Sequence, residues 1–171
     1  MFGIGGRNSA TRPLGREAVC EALLGEYIRG MSTIGLPSIS FEHTDQKLQA
    51  KFLAVGDPML RSVTIGIDRP AGRRTTQTVL VTIAAEARFR CADPLLLAKL
   101  HKTALDHISS APAERGVRLV GHWNSIIAYV EMDVDPNDFA FKGEVGANLI
   151  AQTLTGVISD LTASIKPYFH N

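Results

Sequence analysis

Hydrophobic residues recur at helical spacing near both ends of the chain and at every second position between them. From Arg16 onward apolar residues return every three or four positions with glutamates between them, which predicts an amphipathic helix ending near Gly30 or Gly35. Residues 146–165 show the same spacing, with Asp160 as their one charge, and predict a C-terminal helix. The apolar positions of the first helix are Cys20, Leu23, Leu24, Tyr27, Ile28 and Met31.

The middle of the chain alternates apolar and polar residues, which is typical of strands that bury one face. SISFEHT and the alternation from Leu48 to Phe52 predict a hairpin with a turn near Thr44–Lys47. SVTIGID and TTQTVLVTIAAEARF predict further strands, and VRLVGHW and SIIAYVEMDV predict a second hairpin around Asn124-Ser125. Asp93-Pro94 between the two groups predicts a capped helix start. The expected fold is therefore α+β, an antiparallel sheet in the order α-β-β-β(β)-α-β-β-α with helices packed on it.

Length and charge restrict the class of protein. The chain has 171 residues, 45% of them hydrophobic, which is enough for one domain over residues 16–171. Residues 1–15 are rich in glycine and arginine and predict a flexible basic arm. A net charge of +1 gives no global electrostatic bias, so binding to nucleic acid or to an anionic membrane surface is not indicated.

Two cysteines and the N-terminal sequence bear on the compartment. Cys20 and Cys91 lie far apart in the sequence without CxxC spacing, which favours two buried thiols over a disulfide scaffold. The first residues contain no apolar segment long enough for a signal peptide. We therefore expect a cytoplasmic protein.

The order of elements over residues 16–166 resembles that of the type III secretion chaperone-like fold, which includes the YbjN family. A helix followed by a hairpin, as in YbjN, is the layout predicted for the passage LHKTALDHISS…VRLVGHWNSIIAYVEMDV. The similarity at residue level is the short Trp123-Asn124. The resemblance implies an antiparallel sheet with packed helices, homodimerisation, and binding of a partner polypeptide instead of catalysis.

The segment DVDPNDFAFKGE has the ligand spacing of a calcium loop. Asp133, Asp135, Asn137 and Glu144 fall at the first, third, fifth and twelfth positions of such a loop. Asp138 stands where the loop needs glycine, and the segment follows a predicted strand instead of a helix. We therefore interpret it as an acidic connection from strand to helix, with these residues kept as weak metal candidates.

No set of residues in the sequence specifies catalysis or a cofactor. His101 and His107 point to different sides of one predicted helix, so they cannot chelate an ion together. His43 ends an alternating strand on its apolar side, and His122 lies beside Trp123. The N-terminal GIGG does not follow a strand, so it lacks the context of a phosphate-binding loop. We expect neither a catalytic residue nor a cofactor.

Two surfaces are candidates for contacts with a partner. The hairpin tip DRPAGRR places Arg69, Arg73 and Arg74 together, either as a contact for an anionic partner or as a solvated group of charges. The last helix is too polar to span a membrane. Its polar face has no lysine or arginine, whereas the polar face of a membrane-surface helix is rich in both. Either solvent wets this face, or a subunit or partner covers it. Its proposed interface residues are Gln152, Thr155, Gly156, Ser159 and Thr162.

These observations favour a non-enzymatic protein-interaction module, chaperone- or adaptor-like, that binds a partner polypeptide as a homodimer. The alternative is a structural or accessory subunit of a larger multiprotein assembly, which would use the basic arm and the uncharged helix face.

Overall fold

The structure is a computed structural model that confirms the α+β class. It describes residues 16–36, 38–44, 47–55, 57, 59–68, 78–88, 95, 98–99, 102, 116–122, 125–135 and 143–169. The predicted arm, residues 1–15, lies outside these ranges.

Two helices and six strands have bounds within the described part of the chain. The described residues of the predicted middle helix, Leu95, Ala98, Lys99 and Lys102, are helical. The strands form one antiparallel sheet in the order β1-β2-β3-β4-β6-β5. The elements are α1 (Arg16–Thr33), β1 (Ser38–His43), β2 (Lys47–Leu53), β3 (Leu60–Asp68), β4 (Val79–Arg88), β5 (Arg118–His122), β6 (Ser125–Val134) and α2 (Gly143–Ile165), followed by a 3₁₀ turn at Lys166–Tyr168.

The core lies between one face of the sheet and the two helices. Alternate residues of β2, β3, β4 and β6 are buried on this face, because a strand directs successive side chains to opposite sides. Helix α1 packs on β2 and β3, and α2 packs on β4 and β6. The fully buried strand residues include Ala50, Phe52, Val63, Ile65, Ile67, Val81, Ile83, Ala85, Ile126 and Ala128.

Helix α1 ends in a Schellman motif. The Leu36 N–H donates to the Met31 carbonyl at 2.9 Å and the Gly35 N–H donates to the Ser32 carbonyl at 3.1 Å. Gly35 has a φ of 86°, a left-handed conformation in which a side chain would be strained. Of the two glycines predicted to end the helix, Gly35 does so.

Gly30 has a different role, since it lies where α1 meets α2. A Cβ atom at this position would approach Ile150 Cγ2 to 2.8 Å and Leu154 Cδ1 to 3.0 Å. The absence of a side chain therefore lets the two helices pack closely at Gly30. Along the same helix, burial raises the pKa of Tyr27 to about 12 because the charged phenolate would lose its hydration.

Helix α2 buries one apolar side against the core. Ile150, Leu154, Leu161 and Ile165 are buried, whereas Leu149 is 48% exposed. Leu149 lies one residue before Ile150 and therefore about 100° away around the helix, outside the buried line. Among the described helices, none is long and apolar enough to cross a membrane.

Candidate functional site

Strand β1 forms one edge of the sheet and is exposed. Within the described part of the chain, β2 is its one pairing partner, with Phe41 opposite Ala50 and His43 opposite Leu48. Phe41 and His43 therefore lie on the helix-bearing face, as the alternation predicts. Helix α1 packs mainly on β2 and β3, so Phe41 remains 65% exposed. An edge strand has backbone groups that can pair with another chain, and the exposed phenylalanine adds apolar surface to such a pairing.

The turn after β1 determines which backbone groups face outward. The Thr44 N–H donates to the Lys47 carbonyl at 2.9 Å, and the Lys47 N–H donates to Thr44 Oγ1 at 3.0 Å. Thr44 thus directs its N–H toward β2. Because successive residues of a strand direct their N–H and C=O groups to opposite edges, Phe41 and His43 direct theirs away from β2. The same two residues therefore present both a side chain to the helix face and backbone groups to the edge.

A groove of about 290 Å³ runs between β1 and α1. Its apolar lining consists of Leu24 and Ile28 from the helix, and Phe41 and Leu48 from the sheet. A peptide backbone paired with β1 would place alternate side chains toward this groove. The groove and the strand edge together form what we call the β1 edge site, lined by Glu21, Leu24, Gly25, Ile28, Phe41, Glu42, His43, Leu48 and Gln49.

One end of the β1 edge site is acidic. Glu17 and Glu21 lie one turn apart on α1, and a carboxylate oxygen of each lies within 4.8 Å of the other and of a His43 ring nitrogen. All three residues are exposed. Two carboxylates and an imidazole could hold a divalent ion, or they could accept hydrogen bonds from a basic side chain. His101 and His107 lie outside the described residues, as does the side chain of His122.

The opposite face of the sheet carries an ion-pair network centred on Glu86. Ser62 Oγ donates to Glu86 Oε2 at 3.2 Å, and Lys51 Nζ lies 3.6 Å from the same oxygen. Arg88 Nε lies 3.6 Å from Glu86 Oε1. Two cations thus compensate one half-buried carboxylate. These four polar side chains on this face are therefore paired within the sheet.

The predicted interface residues of α2 lie together on the outer side of the helix. Gln152, Thr155, Gly156 and Ser159 are exposed and Thr162 is half-buried. Thr155 Oγ1 donates to the Ala151 carbonyl at 2.8 Å and Thr162 Oγ1 donates to the Ile158 carbonyl at 2.7 Å.

These hydroxyl donors are satisfied within the helix, so covering them does not leave a donor without an acceptor. Gly156 has no atom within 4 Å of the position that a Cβ would occupy. The face is therefore accessible at Gly156, and covering the Thr155 and Thr162 hydroxyls leaves neither donor unpaired.

The other predicted contacts lie largely outside the described residues. This applies to Arg69, Arg73 and Arg74, and to Asn137 of the calcium candidate. Asp133 is exposed in β6, while Glu144 belongs to the first turn of α2. The segment that joins them connects a strand to a helix, as the sequence indicates.

Sequence reasoning did not identify the β1 edge site. The alternation of SISFEH places Phe41 on the apolar face, and periodicity alone cannot show that α1 leaves it exposed.

Comparison of the chain with protein-family models, curated proteins and solved structures finds no significant match.

Proposed function

We propose that this protein is a non-enzymatic, chaperone- or adaptor-like module of the cytoplasm that binds a partner polypeptide. The observation that carries the proposal is the β1 edge, where an exposed phenylalanine stands beside outward-facing backbone groups. An extended polypeptide can add to such an edge as a further strand, gaining backbone hydrogen bonds from the strand and side-chain contacts from the adjacent groove. The resemblance of the element order to that of secretion chaperones, which implies binding of a partner polypeptide, also supports the proposal.

Self-association belongs to the same proposal. The outer face of α2 lies away from the β1 edge site, since α2 packs on β4 and β6 while β1 is at the sheet edge beyond β2 and β3. Two copies that meet through Gln152, Thr155, Gly156, Ser159 and Thr162 would therefore leave both β1 edges accessible. A homodimer would then offer two binding sites, which raises the affinity for a partner that reaches both.

The second candidate is an accessory subunit of a larger assembly. The same α2 face supports it, because small side chains with satisfied hydroxyls suit contact with a different helix as well as with a second copy. The two candidates differ in the state of the isolated protein: the first gives a dimer and the second gives a monomer.

The test of polypeptide binding uses a permanently unfolded protein as probe, reduced and alkylated so that it cannot refold. We expect the full-length protein to bind the labelled probe in fluorescence anisotropy, and Phe41→Ser to weaken binding because it removes the aromatic surface at the edge. Val120→Ser is the matched control, since Val120 is 43% exposed on β5 at the opposite edge of the sheet.

Equal binding by wild type and Phe41→Ser would contradict the assignment of the site to β1. Absence of binding by the wild type would contradict the proposed function itself. Circular dichroism of each variant shows that any loss is not caused by unfolding, and Phe41 is exposed enough for its replacement to leave the fold intact.

A further inference from the structure

We propose that the β1 edge site selects extended segments in which a lysine or arginine stands two positions before an apolar residue, paired antiparallel to β1. This inference rests on the proposed function and specifies the partner. It follows from three features of the site: the direction of the backbone groups, the position of the groove, and the acidic residues at one end.

The apolar requirement comes from Phe41. Its N–H and C=O face the open edge, so a docking strand forms a hydrogen-bonded pair with this residue. Residues directly opposite each other share a face of the sheet and have Cβ atoms about 5 Å apart. The partner residue opposite Phe41 therefore projects over the groove lined by Leu24 and Ile28. An apolar side chain there would remove both itself and Phe41 from water.

The basic requirement comes from the other outward-facing residue, His43. In an antiparallel pair, the partner residue opposite His43 precedes by two positions the one opposite Phe41. Its side chain extends toward the carboxylates of Glu17 and Glu21, which lie within 4.8 Å of a His43 ring nitrogen. A lysine or arginine side chain there can donate charge-assisted hydrogen bonds to both carboxylates. An acidic residue at this position would face two like charges.

The charge of the acidic end favours a segment of another protein as the occupant. A second copy of this chain, paired through its own β1, fits less well. The β1 sequence SISFEH contains Glu42 and neither lysine nor arginine, so a second β1 cannot supply the basic side chain. A partner strand with a basic side chain complements the acidic end, whereas the SISFEH sequence of a second β1 brings no lysine or arginine to it.

The probes are labelled seven-residue peptides composed of threonine except at the third and fifth positions. The matching peptide has arginine third and leucine fifth, and two controls replace the arginine by glutamate or the leucine by serine. All titrations contain a chelator, so that a metal ion bound by the same three groups does not contribute. We expect the wild type to bind the matching peptide more tightly than either control.

The variant Glu17→Gln/Glu21→Gln tests the acidic end. Two exposed ion pairs together account for a change of about twofold to thirtyfold in affinity, so the variant should lose that much for the arginine peptide and little for the peptide with glutamate in its place. Glu131→Gln/Asp133→Asn is the matched control, because it removes the same charge from exposed residues of β6. Glu17→Arg/Glu21→Arg should reverse the preference in favour of the glutamate peptide.

The outcomes separate this inference from the proposed function. Equal affinity for the arginine and glutamate peptides, with both lost in Phe41→Ser, would overturn the charge preference while leaving polypeptide binding at β1 in place. Binding of the unfolded probe that Phe41→Ser does not alter would overturn the site and this inference together. A lower mass of Phe41→Ser in light scattering would show that a second copy occupies the edge, which also overturns the inference.

Discussion

The contact between α1 and α2 at Gly30 predicts opposite effects for the same substitution at two positions of one helix. At Gly25 no atom lies within 4 Å of the position that a new methyl group would occupy, so Gly25→Ala should stabilise the protein by about 1 kcal/mol through helix propensity alone. At Gly30 the methyl would come within 2.8 Å of Ile150 Cγ2 and 3.0 Å of Leu154 Cδ1. Overpacking of this kind costs roughly 1–3 kcal/mol.

After the gain in helix propensity is subtracted, Gly30→Ala should lower the free energy of unfolding by between about 0 and 2 kcal/mol. The difference between the two variants, about 1–3 kcal/mol, is the sharper quantity because propensity is common to both. Urea unfolding followed by circular dichroism measures it. For a chain of 171 residues, each kcal/mol also shifts the melting temperature by about 2–4 °C.

A double-mutant cycle tests whether contact with Ile150 causes the destabilisation of Gly30→Ala. Ile150→Leu removes the Cγ2 atom nearest the new methyl while nearly conserving volume, so it should recover part of the loss in Gly30→Ala. If Gly30→Ala stabilises as much as Gly25→Ala does, the two helices are not in close contact at Gly30. If Ile150→Leu shows no coupling with Gly30→Ala, the crowded atom is not Ile150 Cγ2.

Three further predictions concern the helix face, the calcium candidate and the core. Thr155→Lys with Ser159→Lys should halve the mass in light scattering by burying like charges; an unchanged mass would contradict an interface there. Millimolar calcium should not raise the melting temperature; a rise that Asp133→Ala abolishes would show a calcium site. The pKa of Tyr27 exceeds its unfolded value of 10.0 and reaches about 12, so the stability from burying the neutral phenol is present below pH 10 and is lost between pH 10 and 12. Phenolate absorbance should show a late step near pH 12 that Tyr27→Phe removes.

The sheet could be predicted because its strands alternate so regularly. In β4 every second residue from Val79 to Ala87 is buried, which is the pattern that the alternation indicates. Turn residues between alternating segments predict both hairpins, although β6 already begins at Ser125. The α+β class follows from the order of these elements and needs no knowledge of tertiary contacts.

The role of Gly30 could not be predicted, because a glycine near a helix end satisfies the same local pattern as a C-cap. Only the approach of Ile150 distinguishes the two roles, and that approach depends on how α2 crosses α1. The exposure of Leu149 has a similar origin. Its spacing places it at the margin of the apolar stripe, and the position of α2 on β4 and β6 decides which margin is buried.

The β1 edge site could not be predicted from the sequence for a related reason. Sequence periodicity assigns Phe41 to one face of a strand, but the position of the strand in the sheet and the width covered by α1 are tertiary properties. The α2 face is the converse case. Its lack of charge is visible in the sequence, whereas the hydrogen bonds from Thr155 and Thr162 to their own helix, which lower the cost of covering these two hydroxyls, are seen only in the structure.

Amide hydrogen exchange, residue by residue, tests most directly whether a polypeptide adds to β1. We predict that saturating unfolded probe slows exchange at Phe41 and His43, whose N–H groups face the open edge, and leaves the amides of Leu119 and Gly121 on the opposite edge strand unchanged. Protection that appears on β5 or on α2 while Phe41 and His43 exchange at their original rates would contradict it.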